Sequence, residues 1–284
     1  MDKFLRLLVI LLLMSANHLS AQNSPLGYVN PMVGTKSMGH TFPGACAPFG
    51  LVQLSPDTEM IPHNIDGIYQ PDAYKYCAGY QYDDKTIVGF SHTHFNGTGH
   101  SDLGDILIMP MTGEVKLDMG TEENPESGYR SRFSHDDEKA EAGYYSILLQ
   151  DYGILAEMTA TERVGVHRYT FPQETKTGHI ILDLDYGIYN YDGKVLMANL
   201  RVEDEYTLTG YRITRGWSRM NYTHFAVKFS KPIQNYGCRN KEKVLYTGFW
   251  RKFDMTENFP EMFGKHLTAY FDFDFSDGEP LVIK

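Results

Sequence analysis

Thr223-His224-Phe225-Ala226-Val227-Lys228-Phe229 places Phe225, Val227 and Phe229 on one side of an extended chain, and His224, Ala226 and Lys228 on the other. Period two is the spacing of a strand with one face on a core and one on water. Arg201-Val202-Glu203-Asp204 follows the same rule. Working outward, short runs rich in Tyr, Val, Ile, Thr and Phe recur along the chain: Phe49–Leu54, Ile87–Phe90, Ile106–Met109, Tyr144–Leu149, Ile154–Ala160, Val164–Phe171, His179–Leu184, Leu200–Glu205, Tyr206–Thr214, Val244–Phe249 and Leu267–Phe273. Gly, Pro, Asn and Asp separate them. Such spacing predicts an all-β sandwich or barrel. Helical signals are weak, and Asp137–Ala142 reads as an exposed charged loop. Thr121–Ser127 and Ser134–Glu141 are polar enough to be mobile loops. No internal repeat and no low-complexity linker is present.

Lys3 and Arg6 precede the unbroken apolar run Leu7–Met14, and Ser20-Ala21 supplies small residues after it. This is the pattern of a secretory leader, residues 1–21, leaving residues 22–284 as the β domain. The run is shorter than the roughly 20 residues a membrane span needs, and the expected mature chain carries none. The expected location is therefore secreted or periplasmic. Net charge is −10, which argues against nucleic acid as a partner, since that needs a basic surface. Three widely spaced cysteines, Cys46, Cys77 and Cys238, imply neither a disulfide framework nor a zinc ribbon. Glu279-Pro280 leads into Leu281-Val282-Ile283, a turn and an apolar run that would ordinarily continue into a further paired strand. The expectation is a fragment cut near a domain boundary.

The chemistry concentrates in Gly89–Pro110, GFSHTHFNGTGHSDLGDILIMP, and in Gly39–Thr58, GHTFPGACAPFGLVQLSPDT. Dense polar groups beside glycines, each loop running into a strand, are what a ligand-lining loop on a rigid sheet looks like. Gly34–Thr41 has phosphate-loop spacing, but His40 stands where lysine is required, and Pro43 and Pro48 prevent the following helix. On a strand, His92 and His94 would share a face, and with His100 or Asp102 they could supply three zinc ligands. They could equally be structural, or could donate hydrogen bonds to a neutral ligand. Asn96, Thr98 and Asp102 favour that last reading, because these groups grip hydroxyls. Glycosidases use two carboxyl groups, roughly 6.5–9.5 Å apart when inverting and about 5–5.5 Å apart when retaining. Asp102 and Asp105 lie near the loop; Asp83-Asp84 reads as a hairpin turn between Tyr80–Tyr82 and Ile87–Phe90, and Asp183 and Asp185 as the solvated side of a strand. The 20 Tyr, 16 Phe and 2 Trp suit sugar stacking as well as strands, and Tyr69, Tyr74, Tyr76, Tyr80 and Tyr82 crowd the approach to the histidine loop.

In order, Val29-Asn30-Pro31-Met32-Val33-Gly34-Thr35, Gly39-His40-Thr41-Phe42-Pro43-Gly44-Ala45, Pro48-Phe49-Gly50, Gln53-Leu54-Ser55-Pro56-Asp57, Gly79-Tyr80, Phe90-Ser91-His92-Thr93-His94, Gly97-Thr98-Gly99 and Gly104-Asp105-Ile106-Leu107 resemble the N-terminal domain of glycoside hydrolase family 92, the exo-acting α-mannosidases, typically α-1,2-mannosidases. Lys36-Ser37-Met38 departs from the pattern where glycines are common, and His100 departs where a smaller residue or cysteine is expected. The resemblance implies a large antiparallel β-sandwich packed on a C-terminal helical-barrel domain, with inverting, calcium-dependent hydrolysis of mannose-containing glycans. It places the general acid, the general base and the calcium ligands in that barrel, so no catalytic residue and no metal ligand is carried over to this chain. What carries over is a substrate-facing surface: His40, His92, His94, Asn96, Gly97, Gly99 and Asp102. The alternative is a free-standing carbohydrate-binding or interaction module; a histidine-metal hydrolase is the third reading.

Overall fold

The computed structural model describes residues 25–97, 99–100, 102–188, 191, 193–240, 243–248 and 260–284. The leader (1–21) and Thr98 lie outside the described residues. Pro25–Tyr28, in the segment ending at Asn30, forms a single 3-10 turn. Everything that follows concerns the unit Pro31–Lys284.

That unit is a β-sandwich of antiparallel sheets. Among the described residues the largest sheet has eight strands, in the order Ala45–Cys46, Gln53–Asp57, Gly89–Ser91, Leu107–Thr112, Thr177–Asp183, Thr268–Asp274, Asn235–Arg239 and Leu245–Thr247. Its middle strand shows why some segments lack alternation. Gly178 to Asp183 are all buried, so Ile180-Ile181-Leu182 is an unbroken apolar run, and His179 and Asp183 are buried with it. Its neighbours pair with it in register, Ile181 opposite Met109 on one side and Tyr270 on the other.

The second sheet runs Leu281–Ile283, Gly165–Thr170, Ile154–Ala160, Tyr144–Leu149 and Lys139–Glu141. Here alternation is plain: Ile154, Ala156 and Met158 are buried, while Leu155 and Thr159 are exposed. Leu54, Phe90 and Ile108 of the first sheet share one core with Tyr145, Ile147 and Tyr169 of the second. A four-stranded sheet, Asn221–Lys228, Thr207–Thr214, Val195–Asp204 and Glu261–Gly264, adds Leu200, Leu208 and Val227 to that core. In Asn221–Lys228 the even-numbered residues are exposed and the odd-numbered ones turn inward, as period two requires.

Several local expectations are corrected. The strand expected from Phe49 starts at Gln53; Phe49 has φ 58° and is fully exposed, at a turn closed by Gly50 N–H to Ala47 O (3.0 Å). Asp137–Ala142 is exposed at Asp137, Lys139, Glu141 and Ala142 as expected, but it is not a loop throughout. A 3-10 turn, His135–Asp137, leads to a paired strand, Lys139–Glu141, because the Glu138 carboxylate is drawn inside by Tyr145 Oη (2.6 Å), Tyr80 Oη (2.9 Å) and His135 Nδ1 (2.5 Å). Tyr82 and Asp83 do turn, but Thr86–Ile87 then pairs with Ser131–Arg132 rather than with Tyr80–Tyr82. Asp183 is buried, not solvated. It accepts Tyr129 Oη (2.7 Å) and the N–H groups of Asp185 (2.8 Å) and Tyr186 (3.0 Å), and burial raises its carboxyl pKa. Leu281–Ile283 is docked along Gly165–Thr170. The cysteines are free, Cys77 and Cys238 buried and Cys46 half-buried.

Candidate functional site

The strand Gly89–Ser91 ends one residue before His92, so the histidine segment is a loop from its start. Its neck is closed by His92 N–H to Asp105 O (2.9 Å) and Gly104 N–H to Thr93 O (2.9 Å). Thr93 and Asp105 reinforce it: Thr93 Oγ1 donates to Asp105 Oδ2 (2.8 Å) and accepts Asp105 N–H (2.9 Å). The loop therefore leaves a rigid base.

His92 and His94 diverge from that base and both turn inward. His92 Nδ1 meets Ile106 O (2.6 Å), and its Nε2 meets His167 Nε2 (3.0 Å). His167 Nδ1 in turn meets Tyr169 Oη (2.8 Å). Burial holds His92 down at about 4 and His167 well below its usual value, so both rings are neutral at pH 7. His94 Nδ1 donates to Gln53 O (2.7 Å), and its Nε2 faces both Asp57 Oδ1 (3.0 Å) and Ser91 Oγ (3.1 Å). A Ser–His–Asp relay needs the serine and the carboxylate on opposite ring nitrogens; here both meet the same one, so the trio fastens a loop and activates no nucleophile. Gly79 is required beside it, since a Cβ there would lie 1.9 Å from Asp57 Oδ1.

His40, Asn96, Gly97 and Gly99 come together where the two sequence loops clasp. His40 O accepts Gly97 N–H (2.6 Å), and Asn96 Oδ1 accepts Phe42 N–H (2.9 Å). His40 and Gly97 both have positive φ, 51° and 71°, which bends each loop toward the other. Tyr74 braces the clasp: its ring meets His40 edge-on at 4.9 Å, and its hydroxyl occupies the place a side chain at position 99 would fill. His40 Nε2 is buried with no hydrogen-bond partner among the described residues. A ring nitrogen held in that state is poised for a ligand group.

Asp102 stands at the other end of the loop. Its Oδ2 accepts the backbone N–H of Trp217 (2.9 Å), at the turn between Thr207–Thr214 and Asn221–Lys228. His100 packs its ring against Trp217, centroids 4.4 Å apart. Beneath lie Asp105, Arg212 and Lys194, all buried; Arg212 Nε is 3.6 Å from Asp105 Oδ1. Burial and then the Arg212 guanidinium lower Lys194 to about 7. Asp105 bonds Thr93 and lies beside the Arg212 guanidinium. Among the described residues, no three His, Cys, Asp or Glu side chains are grouped to hold a metal ion.

Trp217, His167 and Tyr74 take part in this architecture, and only Tyr74 stood out in the sequence. Trp217 lies 115 residues from its carboxylate and His167 lies 75 from its partner ring, so no local spacing could announce them. A separate cleft of about 500 Å³ opens between Gly50–Gln53, Arg163–Gly165 and the strand Asn221–Lys228, with His92 and Asp105 at its floor and an otherwise mainly apolar lining.

Residues 28–284 match the glycosyl hydrolase family 92 N-terminal domain, and the chain belongs to that family. A family GH92 alpha-mannosidase from Bacteroides thetaiotaomicron, solved alone and with mannoimidazole, is 38% identical and superposes with a TM-score of 0.79 in that complex. The match covers 91% of this chain and 31% of that one. A family GH92 inverting mannosidase from the same organism is 24% identical with a TM-score of 0.67, a likeness of fold. An uncharacterized secreted glycosidase of Arthroderma benhamiae is 29% identical over 167 residues, 58% of this chain and 20% of that protein. The chain thus spans about a third of the solved relatives' length. Among the described residues no helix is long and apolar enough to cross a membrane.

Proposed function

We propose that this chain is the substrate-facing N-terminal domain of an exported, exo-acting α-mannosidase, working with a C-terminal helical domain on mannose-containing glycans. One observation carries the reading. The His40 and Asn96–Gly99 loops are clasped by Gly97 N–H to His40 O and Phe42 N–H to Asn96 Oδ1, leaving the buried His40 Nε2 without a hydrogen-bond partner among the described residues. Around it, Asn96, Gly97 and Gly99, with Asp102 at the far end of the loop, form the surface offered to a sugar, and Tyr74 braces the clasp. His92 and His94 serve it from below, pinning the loop to the second sheet and to Asp57.

The rest of the active site belongs to the second domain. Calcium takes six to eight oxygen ligands. In the reading that the family resemblance implies, the cation of a calcium-dependent, inverting enzyme is held by that domain. The same resemblance implies that the acid and base sit there too, and it fits that Asp105 bonds Thr93 in the loop neck and Asp102 bonds the Trp217 N–H. This domain's part is orientation and exclusion of water. The purified chain, with calcium present, should not hydrolyse 4-nitrophenyl α-mannoside. Turnover abolished by Asp102→Asn or Asp105→Asn would overturn the division of labour.

A further inference from the structure

Phe49 combines full exposure with a φ of 58°. A bulky residue rarely takes the left-handed conformation, and here no burial of the ring offsets the strain. The turn is nonetheless fixed. Gly50 N–H bonds Ala47 O (3.0 Å), and the N–H groups of Leu51 and Val52 both bond Glu162 O (2.7 and 3.3 Å). Glu162 sits in a second tight turn, closed by Thr161 N–H to Val164 O (2.9 Å) and Val164 N–H to Thr161 Oγ1 (3.1 Å). Two braced turns thus hold a bare aromatic knob beside the cleft of about 500 Å³, whose lining includes Gly50, Leu51, Arg163 and Val164.

That cleft is the matching hole. Leu51, Phe95, Val164 and Tyr222 line it and are all exposed; Met220, also exposed, extends the surface, its sulfur 3.8 Å from the Tyr222 hydroxyl. A contiguous apolar surface of this kind marks a protein interface. The charges say which protein. Glu162 and Arg163 are adjacent and exposed, and neither forms an ion pair among the described residues. The exposed charges lining the cleft are cations, Arg163 and Lys284, although the chain carries −10 overall. The patch therefore holds a knob and a hole, and an acid and a base, side by side. Contact across a two-fold axis needs that self-complementarity, because residue i meets j while j meets i. Any other partner must supply all four features; a second copy of this chain already carries them.

We infer that the chain forms a two-fold dimer in which Phe49 of each copy enters the cleft of the other and Glu162 meets Arg163 of the partner subunit. With one aromatic anchor per copy, the contact belongs to the weak, transient class. None of His40, Asn96, Gly97 and Gly99 lines this cleft, so the inference goes beyond the sugar-facing reading and stands or falls without it.

Sedimentation velocity on the purified chain, from about 5 to 500 μM, tests it. The wild type should pass reversibly from monomer to dimer. Phe49→Ser should stay monomeric throughout, with circular dichroism and unfolding temperature unchanged, since the ring is fully exposed. Two further variants fix the geometry. Glu162→Arg and Arg163→Glu should each weaken the dimer roughly tenfold alone, because like charges then face each other across the axis. Mixed in equal amounts, they should pair with each other about as tightly as the wild type pairs with itself, since each supplies the charge the other lacks. A wild type that stays monomeric at the highest concentration leaves the cleft to a different protein or to a small apolar ligand, and the inference fails. A dimer that Phe49→Ser leaves intact uses another face and also overturns it. So does a mixture of the two charge variants that shows no recovery, because Glu162 and Arg163 then do not meet.

Discussion

The Nε2 atoms of His92 and His167 lie 3.0 Å apart, and a single proton must lie between them. The tautomers follow from the two ends. Ile106 O can only accept, so His92 carries its proton on Nδ1 and accepts at Nε2. His167 then donates from Nε2 and accepts the Tyr169 hydroxyl at Nδ1. A second proton on His92 would set two N–H groups against each other inside the core, and one on His167 would remove the nitrogen that accepts the Tyr169 hydroxyl. His92 is held at about 4, below the ordinary 6.5 of an unfolded histidine. Between those values the unfolded chain binds the extra proton and the native chain does not, so this contribution to stability is lost as pH falls from about 6.5 toward 4. Asp84, raised to about 6 mainly by burial, acts in the opposite sense, so the direct check is NMR on labelled histidine. Neither ring should titrate above pH 5; titration near 6.5 would contradict the chain.

Lys194 gives the mirror case on the alkaline side. Its folded value of about 7 lies below the unfolded 10.5, so the native state sheds the proton first. Its contribution to stability should rise from pH 7 to pH 10. Thermal unfolding of wild type against Lys194→Met isolates it: the variant should be least sensitive to pH in that window.

Glu138 is the hub of the segment whose charges suggested an exposed loop. Its carboxylate satisfies two tyrosine hydroxyls, at 2.6 and 2.9 Å. Glu138→Leu leaves both hydroxyls unpaired and should cost about 3 kcal/mol, at roughly 1–3 for each buried orphan. Glu138→Gln keeps an acceptor oxygen and should cost less. Urea unfolding of the two variants measures the difference.

Two glycines separate structural from functional necessity. A Cβ on Gly44 would meet Leu54 O at 2.1 Å, and backbone cannot swing aside. Gly44→Ala should lower stability by about 2–4 kcal/mol. At Gly216 the obstacle is the Asp102 carboxylate, which can rotate away. Gly216→Ala should leave the unfolding temperature within a few degrees of wild type while breaking the bond to Trp217. Equal destabilisation by the two changes would contradict that division.

Period-two alternation made Tyr144–Leu149 and Ile154–Ala160 legible to the residue, because one face of each is wet or partly so. Phe49–Leu54 misled because an apolar pair, Phe49 and Leu51, is exposed at a turn, where hydrophobicity no longer reports burial. Glu138 and Asp183 misled in the other direction: a carboxylate looks solvated in sequence until distant tyrosines supply its hydrogen bonds. The candidate site was legible as a cluster, since His40, Asn96, Gly97 and Gly99 do meet. What sequence could not separate was which histidines face inward. His92 and His94 are consumed by His167, Ile106, Gln53 and Asp57, partners fixed by register across sheets.

The central claim is that the clasped loops form a sugar-facing surface, and amide chemical-shift mapping tests it most directly. ¹⁵N-labelled chain is titrated with methyl α-mannoside, with methyl α-galactoside as the control. The account predicts saturable shifts confined to His40, Asn96, Gly97, Gly99 and Asp102 and their neighbours, weaker with the galactoside, and lost in His40→Ala. Shifts that fall instead on the cleft between Gly50–Gln53 and Asn221–Lys228, or no shifts at millimolar mannoside, would contradict it.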